Sequence, residues 1–329
     1  MQPSGDHPVD LKAPLKKLPY PIFLRLFLLW HWLRDVRACR RARRKLGVRR
    51  LREVDLSSFK KSEVVFLLGS GASINQISRE RWAAIARYDT IGFNFWPLHP
   101  FVPRMYFFEA LGEASRGVFE LYRKVSAERA QDYTPILKVA TELSNLAPSY
   151  APAYPEAWRE SLFTVDTFPA AARNEQEFAY AVAYLRRKGL FRPATRIRYL
   201  FKQLSTLSSL IALAARLRYK TVVLCGIDLS NAQYFYQDTE LYPEASHLQM
   251  WSPAASHPSL WQTPWRIPMD KVVLELKRQV LDPAGIGIFV ENRSSALWPA
   301  IPEAPGELFL QSGQPVASEG KPQAAPQGK

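Results

Sequence analysis

Only two cysteines, Cys39 and Cys225, occur in 329 residues, one within an arginine-rich stretch and one at the end of an apolar run. Two such thiols cannot form a disulfide-built scaffold, and they point to a reducing compartment. The five histidines show no close spacing and there is no Cys-x-x-Cys, which argues against a structural zinc site. There is no Gly-Lys-Ser/Thr, so the chain lacks a nucleoside-triphosphate P-loop. A spanning helix needs roughly 20 apolar residues. The N-terminal apolar stretch, Pro21 to Leu33, has 13 and contains Arg25. It does not read as a secretory signal either, because tryptophans sit inside it and a dense basic block comes after it without a small-residue cleavage site. No internal repeat is visible.

What is present describes an ordinary core with an unusual end. The chain is 47% hydrophobic and 22% charged, and long enough for one large or two small domains. Its net charge is +14, but residues 1–60 hold fifteen Lys/Arg against five Asp/Glu, so ten of the fourteen charges lie there. The remainder is near neutral, which argues against a nucleic-acid partner. Residues 1–60 therefore read as a basic, amphipathic arm. Arg34, Arg37, Arg41 and Arg44 fall on one helical face, and Trp30 and Trp32 sit where an interfacial aromatic belt would be. The spacing predicts a helix lying on an acidic membrane surface through residues 20–50, peripheral on the cytoplasmic face. The other reading is a core-packed helix and then a solvated basic stretch.

From residue 61 the pattern changes. "EVVFLL", "DTIGFN", "RMYFFE", "ESLFTV", "KTVVLCGID" and "IGIFVEN" read as short strands. Between them "RERWAAIARY", "GEASRGVFELYRKVSAER", "NEQEFAYAVAYLRRKG", "STLSSLIALAARLR" and "MDKVVLELKRQVLDPAG" read as helices, with Asn174 a candidate N-cap. Alternation of this kind predicts an α/β fold, a Rossmann-like, mostly parallel sheet with flanking helices, over 61–311. Residues 229–267 are polar, aromatic and Pro-rich, and read as a smaller lid over a site. Residues 312–329 are of low complexity and read as a disordered tail.

The segment "VVFLLGSGAS" brings a strand to Gly69-Ser70-Gly71, with Ser73 placed to cap the next helix. Such a turn lets the backbone approach a ligand, and amides at a helix start attract phosphate. It is also a common plain turn. The third glycine of a dinucleotide fingerprint is replaced by Ile74. Asn94, Glu109 and Gly226-Ile227-Asp228 end the other strands that can converge on it, and in open α/β sheets ligands sit outside the carboxyl ends of strands. Asp228 has a second reading, as a brace for the lid.

With these pieces in place, residues 62–305 resemble the bacterial sialyltransferases of glycosyltransferase family 42. "LLGSGASINQI", "DTIGFN", "STLSSLIALAARLRYKTVVLCGIDL" and "ENRSSALWPAIPEAP" look like that family's motifs, in the same order. The resemblance implies a GT-A-like variant of the fold, a CMP-sialic acid donor, inversion at the anomeric carbon, no cofactor and no metal. It places nucleotide and donor contacts on Gly69, Ser70, Gly71, Ser73, Asn94, Glu109, Ser205, Thr206, Gly226, Ile227 and Asp228. It places a phosphate-binding tyrosine on Tyr236, or Tyr234 with a different gap, and the catalytic base on His257, with His247 the fallback. The sequence departs from the family at Ser230 (a tyrosine there), Gln203 (an arginine, with Lys202 adjacent) and Glu109 (an asparagine). The partners implied are a CMP-sugar and a glycan or glycolipid acceptor. Two rivals remain: another α/β nucleotide enzyme, pyrophosphokinase-like or methyltransferase-like, and a non-enzymatic membrane-surface binding protein.

Overall fold

The computed structural model describes residues 17–109, 116–141, 155–230, 233–245, 257–261 and 265–310. The fallback base His247 and the tail 312–329 lie outside these residues. The apolar runs form the strands β1 (Arg49–Arg50), β2 (Val64–Leu68), β3 (Asp89–Phe93), β4 (Met105–Glu109), β5 (Leu137–Thr141), β6 (Leu162–Phe168), β7 (Tyr199–Phe201), β8 (Thr221–Cys225) and β9 (Gly287–Val290). They make one sheet in the order β1-β6-β5-β4-β3-β2-β8-β9, with β7 also on β6, and every pairing is parallel. A Rossmann-like α/β architecture is therefore present. Nearly continuous burial along β2, β3, β4 and β5 is what a parallel sheet covered on both faces requires.

The helices are α1 (Tyr20–Leu46), α2 (Arg79–Ile85), α3 (Arg116–Glu128), α4 (Ala130–Tyr133), α5 (Glu175–Arg187), α6 (Thr206–Arg216) and α7 (Met269–Leu276). Asn174 caps α5 as its sequence position suggests, its side chain accepting from the Glu177 amide. The most apolar helix, α6, is buried from Thr206 to Ala215 and lies across β2, β4 and β7. Helix α7 runs into a π-helical turn, Lys277–Leu281, before Gly285 ends it in a left-handed conformation.

The basic N-terminus is not a separate arm. In α1, Tyr20, Phe23, Leu24 and Phe27 belong to the main core, and the helix packs on β6. The Tyr20 hydroxyl donates to Ala171 O at 2.8 Å, and His31 Nε2 lies 3.0 Å from Thr167 O. Leu51 and Leu56 are also fully buried. The two tryptophans do not form a belt: Trp32 Nε1 donates to the Tyr199 hydroxyl, and Trp30 packs on the core beneath Arg34, whose guanidinium lies 4.2 Å from its ring centre. A helix with two apolar faces can bury one and leave the other outside, and Ile22, Leu26 and Leu29 are the side chains left outside. Arg34, Arg37, Arg41 and Arg44 are exposed, as their spacing implies. No helix among the described residues is long and apolar enough to cross a membrane.

Candidate functional site

The strand order doubles back at β2. From β2 the chain moves outward through β3, β4, β5 and β6, then returns to place β8 on the other side of β2. Loops leaving strands on either side of such a point diverge, and the carboxyl ends there are where open α/β sheets hold ligands. Gly69, Asn94, Glu109 and Gly226 stand at the carboxyl ends of β2, β3, β4 and β8, four adjacent strands. The sequence-predicted residues are thus brought to one edge.

Within that edge, the glycine turn is occupied by the protein itself. Gly69 N donates to Cys225 O and Gly71 N to Gly226 O, each at 2.8 Å. Asp228 accepts from Ser73 N at 2.9 Å and from the Ser73 hydroxyl. The bridge from Gly71 to Tyr234 engages Ala72 N, which leaves Ser70 N as the amide between 69 and 73 without a protein acceptor among the described residues. Asp228 is therefore a brace between the two turns, the plainer of its two readings. A Cβ on Gly69 would overlap Ile227 Cδ1 and stand 2.6 Å from Gly226 O. One on Gly71 would stand 2.5 Å from Asp228 Oδ2. Close passage of one turn over the other is what demands these glycines. Left-handed backbone clusters here too, at Asn94 (φ +56°), Gly226 (φ +62°) and Leu229 (φ +55°). Asparagine and glycine adopt it readily, whereas leucine does so at a cost of about 1 kcal/mol or more.

A polar network joins β3, β4 and the start of α6. Thr206 Oγ1 lies 2.7 Å from Glu109 Oε1 and 3.3 Å from Asn94 Oδ1. The hydroxyl has one proton, and the nearer, charged oxygen takes it. Lys202 Nζ pairs with the same Glu109 oxygen at 3.1 Å. Burial alone would raise the Glu109 pKa, but the Lys202 charge and the Thr206 hydrogen bond hold it below the usual carboxylate value. Ser205 serves as N-cap of α6, accepting from Leu207 N. Gln203, the position of the family's arginine, is turned away to accept from Ala170 N. Lys202 is a cation that reaches this edge, carried there by its place directly after β7.

The described part of the lid closes on the glycine turn. Phe235 N donates to Ser70 O at 2.9 Å, Gly71 bridges to Tyr234, and Asn75 Nδ2 donates to Phe235 O. Tyr236 is almost fully buried, stacked on Tyr234 with centroids 5.3 Å apart and packed against Phe95, next to Asn94. Burial pushes its hydroxyl pKa well up. Tyr234 is only half-buried and so is the better placed of the two to meet a ligand. His257 stands edge-on to Tyr234 at 5.7 Å. Its Nδ1 accepts from Ser259 N at 3.1 Å, which puts the ring proton on Nε2. Ser230, where the family carries its first tyrosine, ends the described loop after Asp228.

Two histidines here are held neutral. Burial, then Arg266, lowers the His257 pKa to about 4. Burial, then Arg129, lowers His99, boxed by Trp82, Trp96 and Phe235, to about 3. Both folded values lie below the usual 6.5, so between the two the unfolded chain binds more protons than the folded one. Stability is accordingly full above pH 6.5 and falls as pH drops below it, by up to about 1.4 kcal/mol per pH unit for each histidine. Denaturant melts between pH 6 and 5 should show this slope, and His99→Phe should reduce it by about one proton; an unchanged slope would contradict the assignment.

No known family model matches this chain, and no curated protein matches it significantly.

Proposed function

We propose that the protein is an inverting glycosyltransferase that moves sialic acid, or a related keto-sugar acid, from a CMP-sugar to a glycan or glycolipid acceptor. The observation that carries the reading is the gathering of Asn94, Glu109 and Thr206 with the Gly69–Ser73 turn, Tyr234 and His257 at the ends of strands flanking the switch in strand order. The Asn94 carboxamide and the Ser70 amide face the nucleotide. The Tyr234 hydroxyl and Lys202 counter the charge that grows on the departing phosphate, the largest electrostatic demand of the reaction. The acceptor oxygen bonds to the anomeric carbon as the bond to the CMP phosphate breaks, and CMP leaves with the electron pair. His257, neutral at physiological pH, takes the acceptor's proton on Nδ1 after exchanging the Ser259 amide for that hydroxyl. The aromatic lid keeps water from the activated sugar.

Attachment to the inner membrane face, and a place in surface-glycan synthesis, rest in this reading on the exposed basic face of α1. A donor panel tests the activity: slow release of CMP from CMP-sialic acid or a related CMP-keto-sugar acid, with UDP-sugars inert, is the expected result. Turnover of UDP-sugars alone, or of neither class, would remove the proposal.

A further inference from the structure

The outer edge of β6 is covered by two short strands rather than one. Arg50 of β1 pairs with Thr164, and Tyr199 of β7 pairs with Asp166. Thr164 and Asp166 are two apart on β6 and so share a face. Where the short strands meet, they leave a small indentation of about 20 Å³ that opens to solvent. Five arginines line it, contributed by separate segments: Arg40 and Arg43 from α1, Arg50 from β1, Arg52 just after it, and Arg198 just before β7. Asp166 is the single carboxylate in the lining, and its Oδ1 is buried without a hydrogen-bond partner. No arginine of the five lies within ion-pair distance of an acidic side chain among the described residues.

Five guanidinium groups around one carboxylate leave the pocket net positive, with Arg43 buried and Arg50 half-buried in it, and an anion would offset that charge. Guanidinium forks match phosphate oxygens, and a terminal phosphate offers several at once. The exposed residues of α1 add a second fact. Ile22, Leu29 and Arg40 fall within about 20° of one line along the helix, with Leu26 and Arg37 beside it, by the 100° turn per residue. Ile22, Leu26 and Leu29 are 49%, 41% and 54% exposed. An apolar stripe thus runs toward the arginine pocket on the same side of one helix, the order of chemistry met on passing from acyl chains to headgroups.

We infer that this pocket is a binding site for the terminal phosphate of an anionic lipid, with Ile22, Leu26 and Leu29 entering the adjoining acyl boundary. The site stands apart from the strand-end edge and does not depend on the transferase reading.

The test is vesicle sedimentation of the full chain with phosphatidylcholine vesicles containing phosphatidic acid, or the same mole fraction of phosphatidylglycerol. Binding is expected to be severalfold tighter to phosphatidic acid. Arg50→Gln/Arg198→Gln should lose tenfold or more of that affinity, while Arg187→Gln/Lys271→Gln, which removes equal charge elsewhere, stays within twofold. Leu26→Ser/Leu29→Ser should weaken vesicle binding and leave calorimetric binding of inorganic pyrophosphate unchanged. Equal losses in the two charge variants would reduce the effect to diffuse attraction and overturn the pocket. Pyrophosphate binding at the pocket with no gain from vesicles would overturn the lipid source. Melting curves of each variant confirm that the losses are not unfolding.

Discussion

Gly69→Ala is expected to destabilise the protein by about 3 kcal/mol, at the upper end of what overpacking a tight site costs. The added Cβ would overlap Ile227 Cδ1 and meet Gly226 O at 2.6 Å. The isoleucine tip can rotate away, but the carbonyl cannot, because the same turn is tied by Gly69 N to Cys225 O and by Gly71 N to Gly226 O. Separating the turns would also pull Asp228 from Ser73, leaving buried donors without an acceptor. The melting temperature should fall by roughly 4–5 °C for a chain of this size. Gly306→Ala is the matched control, since its Cβ would meet nothing within 4 Å. A Gly69→Ala protein as stable as that control would contradict the packing explanation of the glycine turn.

Lys202→Met is expected to have the second large effect, on both stability and donor turnover. The lysine side chain is 5% exposed and its partner Glu109 30% exposed, so removing the cation strands a carboxylate that water reaches only in part. Breaking a fully buried pair costs about 3–5 kcal/mol, and partial exposure of Glu109 reduces this to about 2–3. The sign with pH is set by Glu109. Its folded pKa lies below the unfolded value, so the pair stabilises above about pH 4.5 and is lost as pH falls through the folded pKa. Lys202→Met should therefore cost least in acid. Adding Glu109→Gln should recover most of the loss, because it removes the stranded charge; a double variant no better than the single would show the two residues to be uncoupled. CMP release from the donor should fall at least tenfold in the single variant.

Much of the fold was legible because its central strands are short apolar runs ended by residues that cannot continue them. Strands β2, β3, β4, β8 and β9 each fit that description, and α5 carries its own N-cap. Strand β5 was not legible. Its sequence "LKVAT" has a lysine in the middle, and Lys138 is buried only because it reaches the carbonyls of Tyr133, Thr134 and Ile136 around the end of α4. No local pattern announces that arrangement. Strands β1 and β7 are too short to carry a period, and so the arginine pocket they frame was invisible. Helix α1 was legible as a helix with apolar and basic character, but which apolar side chains turn inward depends on where β6 lies.

At the site, the candidate residues named from sequence stand at the strand ends, and the structure gives several of them partners within the protein. The Gly69 and Gly71 amides face protein carbonyls, Asp228 braces, and Ser205 caps a helix. Each of these residue types serves ligands and backbone equally well, and only the pairing of β2 with β8 decides between them. Of the two candidate tyrosines, the packing of Phe235 and Tyr236 against Trp96 and Phe95 turns the more accessible face to Tyr234.

The central claim is that the ends of β2, β3, β4 and β8 hold a CMP-sugar. It is tested most directly by running the donor panel on the wild-type protein and on Thr206→Val, which keeps the shape of the side chain but removes the hydroxyl linking Asn94 to Glu109. The expected result is CMP release from a CMP-keto-sugar acid by the wild type and at least a tenfold loss in the variant, which stays folded with a melting temperature only a few degrees lower because one hydrogen bond to Glu109 is lost. Absence of CMP release from the folded wild-type protein, or equal release by both, would contradict it.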